Sequence, residues 1–148
     1  MLQFYIDDII KKALLEDINY IDVAADNLLA DTHVSKAKFL AKASGVLCGI
    51  DVAFRVFELL GNFKFQKYMS DGDKVQKGDI IAEIEGPTKL LLKGERTALN
   101  LIQHMSGIAT MTAEAAELIK GTNATVADTR KTLPGLRALQ KYAVTCGG

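Results

Sequence analysis

The feature that most constrains the fold is a long helical pattern from Leu90 to Lys120. At about 100° per residue, its apolar side chains fall on one side of a helical wheel. This stripe is expected to pack against the core of the protein. Its members are Ala98, Leu101, Ile102, Met105, Ile108, Ala109, Thr112, Ala116 and Ile119.

The opposite face of this helix carries Arg96, Asn100, Gln103 and Gly107, with His104 at its edge. One arginine, uncharged hydrogen-bonding groups and a glycine predict a face that a partner surface or a ligand covers. A helical glycine costs about 1 kcal/mol relative to alanine, so two helices meeting near residues 106–107 are an alternative.

His104 is predicted to be a structural, hydrogen-bonded histidine rather than a catalytic one. No carboxylate follows it at three or four residues, where one could orient the ring. The chain has one other histidine, His33, and no ligand cluster, so no metal site is expected.

Upstream of the long helix, the apolar periodicities predict two helices and three strands. The helices cover residues 4–15 and 51–60, and the strands cover 33–43, 63–68 and 80–84. Along the first strand Ala37, Phe39, Ala41 and Ala43 point one way, while Lys36, Lys38 and Lys42 form a solvated face rather than a ligand site. Residues 22–24 are predicted to form a polar connection. Gly61 is predicted to be the C-cap of the helix at residues 51–60.

The run from Asp71 to Asp79 resembles the hammerhead turns of lipoyl- and biotinyl-carrier modules. A carrier lysine stands at a hairpin tip, whereas Lys74 and Lys77 lie inside the turn sequence. The segment is therefore predicted to be a structural turn.

Downstream of the long helix, the pattern predicts a strand at Ala124–Ala127, a polar loop, and a helix from Leu136 to Val144. Ligands of α/β folds bind at the carboxyl ends of strands, where this loop lies. Arg130 offers a planar fork for a carboxylate or phosphate, with Lys131 as a point charge beside it. A loop whose cations are merely solvated is the alternative. One βα unit cannot form a parallel sheet, so we interpret the chain as part of a longer protein.

Charge and cysteine content narrow the class of protein. Eighteen basic residues balance eighteen acidic ones, so neither nucleic acid nor a membrane is an expected partner. Cys48 and Cys146 lie far apart without zinc-ligand spacing, which predicts reduced thiols in a cytoplasmic protein.

Two ordered motifs carry a family resemblance. Asp128–Arg137, followed by Lys141–Val144 and Gly147–Gly148, resembles the signature of the quinolinate phosphoribosyltransferases, and Glu95–Asn100 running on to Ser106–Thr110 resembles a second motif of that family. The implied fold class is α/β: an α+β amino-terminal sandwich domain, residues 1–112, followed by residues 113–148 as the start of a TIM-like α/β barrel.

The resemblance also implies an activity: quinolinate and phosphoribosyl pyrophosphate give nicotinate mononucleotide, pyrophosphate and CO2. It implies that Arg96, Thr129, Arg130 and Lys131 bind substrate, Lys131 also being catalytic, with Asn100 and His104 in supporting positions. Mg²⁺ is an expected cofactor whose ligands lie outside this chain. A homodimer or higher homo-oligomer is expected, with Arg96 reaching the neighbouring subunit's site, and the 148 residues alone are expected to be inactive.

Two other functions stay open. One is a paralogue of the same fold, such as a molybdenum-transport-associated protein or a nicotinate phosphoribosyltransferase. The other is a binding or dimerisation module without chemistry. The setting of Arg96 between Glu95 and Thr97 favours the quinolinate enzyme.

Overall fold

A computed structural model describes residues 3–18, 30 and 32–148. The predicted polar connection at residues 22–24 lies outside them. The helices are α1 Gln3–Ile18, α2 Ile50–Leu60, α3 Thr88–Leu118 and α4 Arg137–Cys146. The strands are β1 Val34–Leu40, β2 Gly45–Val46, β3 Lys64–Lys67, β4 Lys74–Val75 and β5 Ile80–Pro87. The mixed α/β class and the elements predicted before residue 120 are confirmed.

β1, β5 and β3 form an antiparallel sheet in that order, and its outer face carries ion pairs between strands. Lys36 and Lys64 lie 3.1 and 3.4 Å from the Glu85 carboxylate, and Lys38 lies 3.1 Å from Glu83. Hydrogen bonds from Lys36, the larger cause, and from Lys64 lower the pKa of Glu85. The predicted solvated face is correct: Lys36, Lys38 and Lys42 are exposed, and the first two pair with carboxylates on β5.

Aromatic side chains fill the space between the inner face of the sheet and α2. Phe54 stacks on Phe65 with ring centroids 4.4 Å apart, and both Phe54 and Phe57 meet Phe39 edge-on. Rings in these arrangements bury a large apolar area in a defined geometry. Gly61 ends α2 as predicted, donating its N–H to Phe57 O from extended rather than left-handed backbone.

The inner row of β1 is covered only in part. Phe39 is buried and Ala37 is exposed, although the alternation places them on the same side. Ala41 and Ala43, which were predicted to continue this row, lie beyond the end of β1 at Leu40. Ala37 lines a groove of about 290 Å³ beside Leu92 on α3. The alternation gives the direction of each side chain, and the position of α3 decides which of them are covered.

The long helix α3 is continuous from Thr88 to Leu118, so the alternative of two helices meeting near residues 106–107 is wrong. Ser106 Oγ donates to Cys48 O and accepts the Cys48 N–H, at 3.1 and 2.9 Å. Gly107 is exposed, and an added Cβ there would meet no described atom within 4 Å. Gly107 therefore neither breaks the helix nor allows a close approach within this chain.

An ion pair joins α1 to α2. Arg55 Nε and Nη2 each lie 2.8 Å from one oxygen of Asp7, which gives a bidentate pair. The hydrogen bond from Arg55 lowers the pKa of Asp7 to about 2, and Asp7 in turn raises the pKa of Arg55.

α4 packs against α3 through the buried side chains of Leu139 and Ala143. Gly147 follows it so closely that an added Cβ would collide with Ala109 O. The strand predicted at Ala124–Ala127 is wrong, because this segment has no regular secondary structure. Its backbone forms no strand ladder with another described segment, and a parallel strand requires such neighbours.

Of the helices in the described ranges, none has the length and apolar composition needed to cross a bilayer.

Candidate substrate-binding site

The cationic loop lies between α3 and α4. Arg130 and Lys131 are both exposed, and neither side chain has an ion-pair partner among residues 3–18, 30 and 32–148. Arg137 and Lys141 add two further cations close by in sequence, against the single carboxylate of Asp128. This concentration of unneutralised positive charge suits an anionic ligand.

Side chains of α4 fix the course of the loop. Arg137 donates from Nε to Thr132 Oγ1 at 3.2 Å and from Nη2 to Arg130 O at 3.4 Å. Lys141 Nζ lies 2.7 Å from Asp128 Oδ1. Sequence reasoning did not assign a function to these two cations. Arg137 and Lys141 are four residues apart, which puts both on one face of a helix. This spacing is the signal by which their support of the loop could have been found.

Gln140 joins the same loop to the long helix. Its Oε1 accepts the Leu133 N–H at 2.9 Å, and its Nε2 lies 3.0 Å from His104 Nε2. The prediction of a hydrogen-bonded histidine at 104 is thus confirmed. His104 supports the loop through Gln140, not through direct contact with Arg130 or Lys131.

Thr129 and Lys131 line one groove of about 400 Å³ between the loop and α3. Thr129 Oγ1 accepts the Lys131 N–H at 3.2 Å, which leaves the hydroxyl proton available to a ligand. The rest of the wall is largely apolar and includes Ile108, Met111 and Val126. Of the predicted site residues, the structure brings these two together here, while Arg96, Asn100, His104 and Arg130 are not among the lining residues.

Arg96 lies on α3 away from this groove. It precedes Ile108, the first α3 residue of the groove wall, by 12 positions, which is about 18 Å of helix at 1.5 Å per residue. Its Nη1 lies 2.7 Å from Asp17 Oδ1, and its side chain is 73% exposed. Asn100, one turn further along the same face, is also exposed. Arg96 therefore faces away from the groove of its own chain.

The structure places one group of potential metal ligands together within its described part: Cys48, Asp71 and Cys146. Two thiols and one carboxylate do not suit Mg²⁺, which prefers oxygen ligands in octahedral geometry. The donor set of the described residues therefore does not fit the expected Mg²⁺.

Comparisons with known proteins agree with the two motifs. The family profile "Quinolinate phosphoribosyl transferase, N-terminal domain" matches residues 22–106, and the corresponding C-terminal domain profile matches residues 108–148. A probable nicotinate-nucleotide pyrophosphorylase [carboxylating] of Bacillus subtilis is 44% identical over 135 residues, covering 90% of this chain and 46% of that protein. One of Methanocaldococcus jannaschii is 42% identical over 150 residues, covering 100% and 52%.

Solved structures show the same relationship. NadC from Streptococcus pyogenes has a TM-score of 0.96 and 42% identity, covering 100% of this chain and 53% of that one. The nicotinate-nucleotide pyrophosphorylase from Francisella tularensis has a TM-score of 0.93 and 37% identity at the same coverage. The chain spans about half the length of the relatives that it matches. From these matches and the fold, the chain belongs to the quinolinate phosphoribosyltransferase family.

Proposed function

We propose that this chain is part of an enzyme that transfers the phosphoribosyl group of phosphoribosyl pyrophosphate to quinolinate, with loss of CO2. The products are nicotinate mononucleotide, pyrophosphate and CO2. The observation that carries the proposal is the exposed pair Arg130 and Lys131, which has no ion-pair partner in the described chain and lies inside a family motif. The names of the relatives favour this activity over a paralogue of the same fold.

The charges of the substrates match the cationic loop. Quinolinate carries two carboxylates, and phosphoribosyl pyrophosphate carries several negative charges. Arg130 would bind one carboxylate through its planar fork, and Thr129 would donate its hydroxyl proton to the same ligand. Lys131, on the groove wall, would neutralise charge on quinolinate or on the phosphoribosyl group.

The proposed catalysis rests on positioning and charge neutralisation. Departure of pyrophosphate leaves positive charge on the ribosyl carbon, so the quinolinate nitrogen has to stand in line with that centre. A fixed loop meets this need because Arg137, Gln140 and Lys141 hold it at three separate points. Lys131 is the proposed catalytic residue, acting by electrostatic stabilisation at the reacting groups.

Arg96 is proposed to act in a second copy of the chain. About 18 Å of helix separates it from the groove wall, which exceeds the reach of an arginine side chain. Its exposure supports a homodimer or higher homo-oligomer in which it binds the second carboxylate at the neighbouring subunit's site. Asn100 would lie beside it at that interface, and His104 would support the loop.

The organisation of the whole enzyme is part of the proposal. Residues 1–112 would form the sandwich domain and residues 113–148 the first βα unit of a barrel, although α3 runs unbroken across that boundary. The Mg²⁺ ligands would lie outside this chain. The two free thiols fit the reducing conditions of the cytoplasm.

Calorimetric titration of the full-length protein with quinolinate tests the substrate and Arg130. Loss of a charge-assisted hydrogen-bonded pair costs about 1.5–3 kcal/mol, so Arg130→Ala is expected to weaken binding about 10- to 100-fold. Lys120→Ala is the matched control, since Lys120 pairs with the exposed Glu117 and lies outside the cationic loop. Quinolinate affinity unchanged in Arg130→Ala, or no binding by the wild-type protein, would contradict the proposal.

Mixing impaired variants tests the position of Arg96. At quinolinate concentrations well below saturation, Arg96→Ala and Arg130→Ala should each lower turnover about 10- to 100-fold. A random mixture should nevertheless regain roughly one quarter of the wild-type activity, because half of the dimers are mixed and each holds one intact site. A mixture no more active than the separate variants would place both arginines at the same subunit's site. The 148-residue chain alone should form no nicotinate mononucleotide, and detectable product would contradict that expectation.

A further inference from the structure

Three segments that are distant in sequence bring two thiols and a carboxylate together on the side of α4 that faces the amino-terminal half. Cys48 lies two residues before α2, Asp71 lies between β3 and β4, and Cys146 ends α4. Their ligand atoms all lie within 4.8 Å of one another. Neither cysteine forms a disulfide, and none of the proposed substrate contacts uses this cluster.

The carboxylate of the cluster is held in place before any ligand arrives. Asp71 Oδ1 accepts the N–H groups of Gly49 and Ile50, at 2.8 and 3.0 Å. Among the described residues, Asp71 Oδ2 accepts a hydrogen bond from the Tyr142 hydroxyl alone, at 3.1 Å. Oδ1 therefore holds the backbone N–H groups at the start of α2, whereas Oδ2 can bind another partner in place of the Tyr142 hydroxyl.

The cluster holds two thiols and one carboxylate, a donor set that suits a thiophilic cation. Burial raises the pKa of the Cys48 thiol, and the negative charge of Asp71 raises it further. The pKa of Tyr142 is raised by the same two causes, burial first. No lysine or arginine is among the groups that shift either of these pKa values. The geometry favours a cation, because three donor atoms lie within 4.8 Å of one another and the carboxylate is already oriented.

We propose that Cys48 Sγ, Cys146 Sγ and Asp71 Oδ2 bind one thiophilic divalent cation of the zinc class. Two thiols and a carboxylate provide three of the four positions of a tetrahedral zinc-type site. Water or the Tyr142 hydroxyl fills the fourth. Binding deprotonates both thiols, so two S–H protons are released to solvent for each cation bound.

The bound cation fastens the end of α4 to the segment before α2 and to the β3–β4 loop. α4 is the helix whose Arg137, Gln140 and Lys141 hold the cationic loop, so the cation stabilises the support of that loop at a distance from the substrate. The ligands come from segments that precede and follow α3 in the sequence, so the bound cation would cross-link them. The inference does not depend on the proposed reaction.

Titration of the reduced, full-length protein with Cd²⁺ tests the site, because thiolate ligation of Cd²⁺ produces a charge-transfer band in the ultraviolet. One equivalent of Cd²⁺ should saturate the band with release of two protons, and Zn²⁺ in excess should compete for the site. Metal affinity falls about 10- to 100-fold on loss of even an outer partner, so Cys146→Ala and Asp71→Asn should weaken binding at least that much.

Asp73→Asn is the matched control, because Asp73 lies in the same loop and is exposed. It should bind Cd²⁺ like the wild-type protein. The wild-type absorption band reports thiolate ligation even if a variant fails to fold. No thiolate band in the reduced wild-type protein, or a band of unchanged intensity and Cd²⁺ affinity in Cys146→Ala, would overturn the inference. Rapid loss of both thiols to a disulfide under hydrogen peroxide, with no Cd²⁺ bound to the reduced protein, would do so as well.

Discussion

Gln140 Nε2 lies 3.0 Å from His104 Nε2, and this contact selects the tautomer of the neutral imidazole. Because Gln140 Oε1 accepts the Leu133 N–H, the amide nitrogen is the end that faces the histidine. An amide nitrogen only donates, so His104 Nε2 has to accept and the ring proton has to be on Nδ1. The assignment follows from the hydrogen-bond network rather than from observed hydrogens.

We therefore expect neutral His104 to be the Nδ1–H tautomer. Long-range ¹⁵N–¹H correlation spectra at neutral pH distinguish protonated from unprotonated ring nitrogens directly. Gln140→Glu removes the donor while keeping an acceptor for Leu133, so it should abolish the preference for this tautomer. A protonated Nε2 in the wild-type protein would show that Gln140 does not donate to His104.

Gln140 should order the cationic loop. Gln140→Leu removes the acceptor for the Leu133 N–H, and a hydrogen bond contributes about 1 kcal/mol net. Hydrogen exchange of the Leu133 amide should then be about 5- to 10-fold faster. Gln103→Leu is the control, since Gln103 lies beside His104 on the exposed face of α3 and lines no part of the loop groove. Equal exchange rates in the two variants would contradict this function of Gln140.

The Asp7–Arg55 pair should stabilise the protein at neutral pH but not in acid. The pKa of Asp7 is lowered from 3.8 to about 2 in the folded state, so the stabilisation is complete above about pH 4 and is lost as the pH falls towards 2. Since both side chains are partly exposed, Asp7→Asn should lower the free energy of unfolding at pH 7 by about 1–2 kcal/mol.

Denaturant unfolding at several pH values measures this difference, which should shrink between pH 4 and pH 2. Asp8→Asn is the control, because Asp8 pairs with Lys12 on the exposed face of α1 and its loss should change stability much less than Asp7→Asn. A cost of Asp7→Asn that stays constant down to pH 2 would exclude the ion pair as its cause.

Two glycines of α3 should respond to alanine with opposite signs. Alanine gains about 1 kcal/mol of helix propensity at either position. At Gly107 the added Cβ meets no described atom within 4 Å, so Gly107→Ala should raise the melting temperature. At Gly94 it would lie 2.7 Å from Phe57 Cε1 and 3.0 Å from Leu60 Cδ1.

Relief of that overlap requires α2 to shift, at a cost of about 1–3 kcal/mol, so Gly94→Ala should be destabilising overall. Thermal unfolding of both variants under the same conditions provides the comparison. Stabilisation by both substitutions would mean that the packing between α2 and α3 adapts more easily than the contacts indicate.

The sequence predicted correctly which faces of a helix or strand are exposed, because the periodicity of that element alone determines them. The two faces of α3 follow from a spacing of three and four residues, and Arg96, Asn100, Gln103 and Gly107 are exposed as the helical wheel places them. The alternation of β1 likewise put Lys36 and Lys38 on the outer face. The cationic loop was found through its motif, since Arg130 and Lys131 are adjacent and no folding is needed to bring them together.

The sequence by itself thus determined the elements, their buried faces and the chemical character of the loop. Only the tertiary structure decided which elements meet. It gave Ala124–Ala127 no strand partner among the described residues and set Arg96 apart from the groove. It also brought the free thiols of Cys48 and Cys146 close together, although they are far apart in sequence. The physical reason is that periodicity records the environment of each side chain, whereas contacts between distant segments depend on packing and hydrogen bonds that form only in the folded chain.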